Sequence, residues 1–201
     1  QAIENLIDSP VRQEIAARIL DGESAVWIFV PCGDAERDAA AFKVLESQAQ
    51  LNQERLTLPP QDEIEADEFY QPNTEIELRI GFSVVTLDPD DPQEQFLLKL
   101  LRGSESDLSS LHEPQAFPVL GRGRVLYALV GKGIMPETIG IASRFVVGPC
   151  SCQVKDQNPG FDLLMAIDWD KKIGGGRLSS PPPEISSEPV LLSIPPGKKK
   201  R

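Results

Sequence analysis

Three cysteines carry the most reactive side chains of this 201-residue chain. Cys150 and Cys152 are separated only by Ser151, so in an extended segment both sulfurs point to the same side. A disulfide between them would close a very small and strained ring, which would exchange readily with other thiols. Because the cysteine count is odd, Cys32 could instead bond either one as a structural staple. The spacing therefore leaves a redox pair, a staple and inert thiols open.

The same residues are the only soft candidates for a metal site. Structural zinc takes four ligands, so Cys32, Cys150, Cys152 and the single histidine, His112, would all have to converge. Two thiolates alone could hold Cu(I), for which ligand softness matters more than ligand number. Nothing in the spacing demands either metal, and we predict no cofactor.

Cys32 lies apart from the other two cysteines, between a continuous apolar run and a helix that Asp34 can cap. A thiol just before a helix N-terminus meets free backbone N–H groups and the positive end of the helix dipole, which favour the thiolate. The opposing interpretation is a small buried side chain that follows a core strand. His112, between Leu111 and Glu113-Pro114, is most simply a loop residue.

The helices and strands that position these residues are predicted from the periodicity of apolar residues and from Pro, Gly and Asp residues at the ends of the segments. The predicted helices run from Ser9-Pro10 to Asp21-Gly22, from Asp34 to about Asn52, from Asp91-Pro92 to Gly103 and from Pro136 to Phe145. The predicted strands are Ala25–Val30, an alternating run from Ile76 to about Leu87, Ala116–Leu120, Val125–Val130 and Asp162–Trp169. The alternation of strands and helices predicts an α/β domain with a parallel crossover unit and a mixed sheet flanked by helices.

This order, with Cys32 in the turn after the first strand and Pro118 opening the third, resembles the thioredoxin-like superfamily over about residues 24–147. The resemblance implies a thioredoxin-like sheet with an extra N-terminal helix and a C-terminal strand. It assigns the attacking thiol to Cys32 and a positioning role to Pro118, and it places the two at the same end of the sheet. The redox pair of that family requires a second cysteine three residues after Cys32, where this chain has Ala35.

The composition changes after residue 173. Residues 174–201 are rich in Gly, Pro and Ser and end in Lys198-Lys199-Lys200-Arg201, which is typical of a disordered tail following a 1–173 domain. The tail's five basic and two acidic residues give it a charge of +3, which leaves −14 on residues 1–173 of a chain whose total is −11. An acidic domain repels nucleic acid, so membrane contact is expected only through the basic tail.

The function predicted from these features is that of an extracytoplasmic accessory or protein-binding domain without the dithiol mechanism, acting on an unidentified protein partner. The chain begins at Gln1 rather than Met, which is compatible with removal of a signal peptide and a periplasmic or secreted location. The alternative is a thiol-disulfide oxidoreductase that uses Cys150 and Cys152, with Cys32 attacking or relaying. A copper- or zinc-handling protein would use the same cysteines with His112.

Truncation after residue 173 tests the predicted domain boundary. We expect the melting temperature to change very little, because the tail's composition buries too little apolar area to offset the entropy of ordering it. Thermal unfolding of the full and truncated chains measures this. A large loss of stability would show that the apolar run Val190-Leu191-Leu192 docks on the domain.

Overall fold

A computed structural model of the chain describes residues 6–57, 79–147, 160–169, 171 and 172. Cys150, Cys152 and the 174–201 tail lie outside these residues. The helices are α1 (Pro10–Leu20), α2 (Ala35–Arg55), α3 (Gln95–Arg102) and α4 (Pro136–Val147), with a short 3₁₀ turn over Gly131–Gly133. The strands are β1 (Ala25–Val30), β2 (Phe82–Thr86), β3 (Gln115–Leu120), β4 (Arg124–Val125), β5 (Leu129–Val130) and β6 (Phe161–Asp162). The predicted α/β class is confirmed.

The six strands form one mixed sheet in the order β2-β1-β3-β4-β6, with β5 pairing the first half of β3. β1 and β2 are parallel and α2 connects them, which confirms the predicted crossover unit. β3 runs antiparallel to β1, with Val30 opposite Gln115 and Ala25 opposite Leu120. The end of β1 at Val30 is called the upper end of the sheet below, and the end at Ala25 the lower end.

Helices cover both faces of β1, and every residue of that strand is buried. Val26, Ile28 and Val30 belong to the core cluster that includes Val11 of α1 and Leu97 of α3. On the opposite face, Trp27 and Phe29 pack in a second cluster, with Ala41 and Leu45 from α2 and Ile139 and Ala142 from α4. An apolar run without alternation is typical of such a doubly covered strand.

Two predicted strands are shorter than the sequence indicates. The run Val125–Val130 is divided into β4 and β5, and Pro118 explains the division. The Pro118 carbonyl oxygen accepts a hydrogen bond from the Leu126 N–H at 3.2 Å, so the proline nitrogen faces the same side and offers no donor there. The predicted strand Asp162–Trp169 is wrong beyond β6, because Leu163 and Trp169 instead contact the core cluster that holds α1 and α3.

The predicted start of α1 at Ser9-Pro10 is confirmed, whereas α3 begins later than predicted. Ser9 makes no side-chain cap; its hydroxyl donates instead to Glu94 Oε2 at 2.8 Å. Glu94 Oε1 accepts the Val11 N–H at 2.8 Å, so a carboxylate from the start of α3 caps α1. Asp91 begins a turn rather than α3, since its carboxylate accepts the Gln93 N–H and the helix starts at Gln95.

Glu94 shares a buried polar cluster with Arg12, and each side chain is 1% exposed. The Arg12 Nη1 donates to Ser9 Oγ at 3.2 Å, and its guanidinium lies 5.7 Å from the centre of the Phe96 ring. Burial lowers the pKa of Arg12, while the charge of Glu94 acts in the opposite direction. This cluster attaches the N-terminal helix to α3.

Removing one partner of this cluster should be costly. We expect Glu94→Ala to lower the free energy of unfolding by about 3–5 kcal/mol, because it withdraws a buried carboxylate from beside Arg12 and from the α1 N-terminus. Glu46→Ala, the same change at an exposed position of α2, should cost no more than about 0.5 kcal/mol. Chemical denaturation of both variants measures the difference, and equal losses would contradict the assigned role of Glu94.

Candidate functional site

Cys32 lies at the upper end of the sheet, where the chain leaves β1 and turns into α2. Gly33 follows with a φ of +90°, a conformation that favours glycine and lets the chain turn directly into the helix. Asp34 is the N-cap, as predicted, and accepts the N–H groups of Glu36 at 3.2 Å and Arg37 at 3.1 Å. Cys32 is half-buried and carries no disulfide.

A second carboxylate, that of Asp38, accepts two further backbone N–H groups of this turn. Asp38 Oδ1 accepts the Cys32 N–H at 2.8 Å, and Asp38 Oδ2 accepts the Gly33 N–H at 3.0 Å. The four N–H groups of residues 32, 33, 36 and 37 therefore all bond to carboxylates. Of the backbone donors near the thiol, the Asp34 N–H is the one that still favours the thiolate.

The Cys32 thiol is consequently not activated. Its pKa is raised, first by desolvation and then by the hydrogen bond and charge of Asp38, against the opposing effects of the Asp34 N–H and the Arg37 charge. The sequence-based expectation that the helix N-terminus favours the thiolate is corrected here. Desolvation and the Asp38 carboxylate together outweigh the effect of the helix end on the thiol pKa.

Arg37 joins this turn to the loop that precedes β3. Its Nε donates to Asp34 Oδ2 at 2.9 Å, and its Nη1 lies 2.9 Å from Glu113 Oε1 and donates to the His112 carbonyl oxygen at 3.0 Å. His112 is exposed, so its backbone rather than its imidazole takes part in these contacts. Among the described residues no group of three His, Cys, Asp or Glu side chains could hold a metal ion.

Pro118 does not lie beside Cys32, contrary to the prediction. It is the fourth residue of β3 and pairs with Trp27, so it sits about 10 Å along the strand from the upper end. Pro114 is the proline that precedes β3, and its carbonyl oxygen accepts the Gly131 N–H at 2.8 Å. The sequence could have indicated Pro114 as this proline, since Glu113-Pro114 comes directly before the buried run of β3. All peptide bonds of the described residues are trans.

The segment that contains Cys150 and Cys152 is attached at the lower end of the sheet. Val147, the last residue of α4, packs with Ala25 of β1 and Phe82 of β2. Gly160 lies against β4, where an added Cβ would be 2.5 Å from the Val125 carbonyl oxygen. Both flanking residues are therefore a full strand length away from Cys32.

Comparisons with protein-family models, with curated proteins and with solved structures find no match for this chain. None of the helices in the described ranges is long and apolar enough to cross a bilayer.

Chain length predicts which disulfides can form. The five residue steps of β1 from Ala25 to Val30 rise about 17 Å, and Cys32 lies two residues beyond Val30. Three extended residues from Val147 to Cys150 span only about 11 Å. Because the Cα atoms of a disulfide lie within about 7 Å of each other, a Cys32–Cys150 bond would need an almost fully extended chain from Val147 along the sheet. We expect peptide mapping without reductant to find Cys32 as a free thiol. A peptide linking Cys32 to Cys150 would contradict this arrangement.

Proposed function

We propose that the chain is a thioredoxin-like accessory or protein-binding domain that lacks the dithiol mechanism and acts outside the cytoplasm. The topology supports the thioredoxin-like part: α2 connects the parallel pair β1 and β2, and β3 and β4 follow as an antiparallel pair beside β1. α2 and α4 cover one face and α1 and α3 the other. In this interpretation Pro114, not Pro118, is the proline that precedes the third strand beside Cys32.

The environment of Cys32 is the observation that carries the functional part. The thiol lies where the resemblance puts an attacking cysteine, after β1 and before α2, but position 35 is an alanine in the first turn of α2. The thiol pKa is raised rather than lowered. Because position 35 carries no thiol and the Cys32 thiol is not activated, this turn lacks the dithiol chemistry of a redox site.

A binding role is compatible with the surface around Cys32. Arg37 and His112 are exposed there, and Met135, 40% exposed, precedes α4 at the same end. Arginine and methionine are enriched in protein interfaces. We propose a protein as the partner, since the −14 charge of residues 1–173 opposes binding of nucleic acid.

Restoring the missing cysteine tests the proposal. Ala35→Cys should allow a disulfide with Cys32, because only Gly33 and Asp34 separate the two positions in the tight turn that leads into α2. The wild type should not reduce a model protein disulfide in the presence of dithiothreitol, whereas Ala35→Cys should gain this activity. Ala39→Cys, one turn further along α2 and also exposed, is the matched control and should form no disulfide with Cys32.

Three outcomes would overturn the proposal. If Ala35→Cys forms no disulfide in the folded protein, the thioredoxin-like assignment of this turn is wrong. If the wild type itself exchanges disulfides, and Cys152→Ser abolishes this while trapping mixed disulfides through Cys150, the oxidoreductase alternative is correct. Stoichiometric binding of Cu(I) or Zn²⁺ that depends on the same cysteines and His112 would instead favour metal handling.

A further inference from the structure

Asp38 makes an unusual contact for a residue in the first turns of a helix. Its carboxylate reaches back past the helix start and accepts the N–H groups of both Cys32 and Gly33, at 2.8 and 3.0 Å. Asp34 already caps α2 by accepting the N–H groups of Glu36 and Arg37. The helix therefore has a complete N-cap without Asp38, and the second carboxylate serves only the cysteine turn.

We propose that Asp38 is a positioning residue that holds the Cys32 turn in place and suppresses the nucleophilicity of the thiol. This inference rests on the proposed function, since it explains how a turn shaped for an attacking cysteine is kept inert. Two effects of Asp38 act together. The carboxylate bonds the backbone N–H groups of Cys32 and Gly33 and is thereby held at the cysteine, and its negative charge lies where it repels a thiolate.

The other charged groups near the thiol do not compensate for Asp38. Asp34 is negative, and its N–H opposes the rise of the Cys32 pKa. Arg37 is the positive group, but its guanidinium is shared between Asp34, Glu113 and the His112 carbonyl oxygen. The loop before β3 contributes a further carboxylate, Glu113, through this arginine. A thiolate at Cys32 would thus face more negative than positive charge.

The relative size of the causes of the raised Cys32 pKa limits how far neutralising Asp38 can lower that pKa. Desolvation is the largest cause of the raised Cys32 pKa, and Asp38 contributes both a hydrogen bond and a repulsive charge. Neutralising Asp38 removes the repulsion and leaves the desolvation. Each unit by which the thiol pKa falls raises the thiolate fraction about tenfold below the pKa and lowers intrinsic nucleophilicity about threefold, a net gain of about threefold in rate.

The test is the alkylation rate of Cys32 in the full chain, followed by mass spectrometry of the peptide that contains it. In this reaction the thiolate sulfur attacks the methylene carbon of iodoacetamide, a sulfur–carbon bond forms, and iodide leaves. We expect Asp38→Asn to raise the rate at pH 7.5 by about threefold and to move the midpoint of the pH–rate profile downward. Glu36→Gln neutralises another carboxylate of the same turn, one that bonds neither Cys32 nor Gly33, and should leave both quantities nearly unchanged.

Asp38→Glu separates charge from position. It keeps the negative charge but displaces the carboxylate by one methylene group, so we expect a midpoint that stays high even if the turn loosens. An unchanged midpoint in Asp38→Asn, with native melting behaviour, would overturn the inference. If Asp38→Asn does not fold, an Asp38→Ser variant gives the same readout. The proposed function fails separately, through the disulfide assay on Ala35→Cys, which does not depend on the Cys32 midpoint.

Discussion

The burial of β1 on both faces is the constraint on which the rest of the structure depends. A six-residue strand with no exposed side chain needs a helical layer above it and another below it, and strands on both sides to bond its backbone. α2 supplies one layer and, because it returns the chain to the β1 edge, also sets β2 parallel. β3 then closes the other side of β1. Since every side chain of β1 is buried, polar side chains can follow this strand only beyond its ends. Cys32, Asp34 and Asp38 lie together beyond the upper end.

The same constraint separates Cys32 from the residues that flank the segment of Cys150 and Cys152. Cys32 follows the upper end of β1, whereas α4 runs alongside α2 and finishes at Val147, beside the lower ends of β1 and β2. The chain returns at Gly160 next to β4, also at the lower end. The two residues that flank the 148–159 segment therefore both lie a strand length away from Cys32.

The sequence predicted those features that depend on residues close to one another in the chain. The unbroken apolar run Ala25–Val30 indicated a doubly buried strand, and Asp34 was identified as a helix cap from its position alone. The features missed are those in which a distant residue takes over a local role. Glu94, more than 80 residues away in sequence, caps α1 in place of Ser9, and its burial beside Arg12 has no signature in the periodicity. The thioredoxin-like resemblance puts Pro118 at the opening of the third strand, yet Pro118 lies inside β3 where the neighbouring ladder is interrupted.

Cys32 shows how the same residue pattern can produce opposite chemistry. A cysteine two residues before an N-cap has access to a helix end that favours anions, and from sequence this predicts a lowered pKa. The helix end, however, attracts any anion, and this chain supplies its own. Asp34 and Asp38 accept four N–H groups of this turn at distances of 2.8 to 3.2 Å. Desolvation and the Asp38 carboxylate then raise the pKa of the thiol against the opposing effects of the Asp34 N–H and the Arg37 charge. Whether a helix N-terminus activates a cysteine is therefore decided by which side chains of the first two turns reach back to it, a question of side-chain direction that spacing alone does not answer.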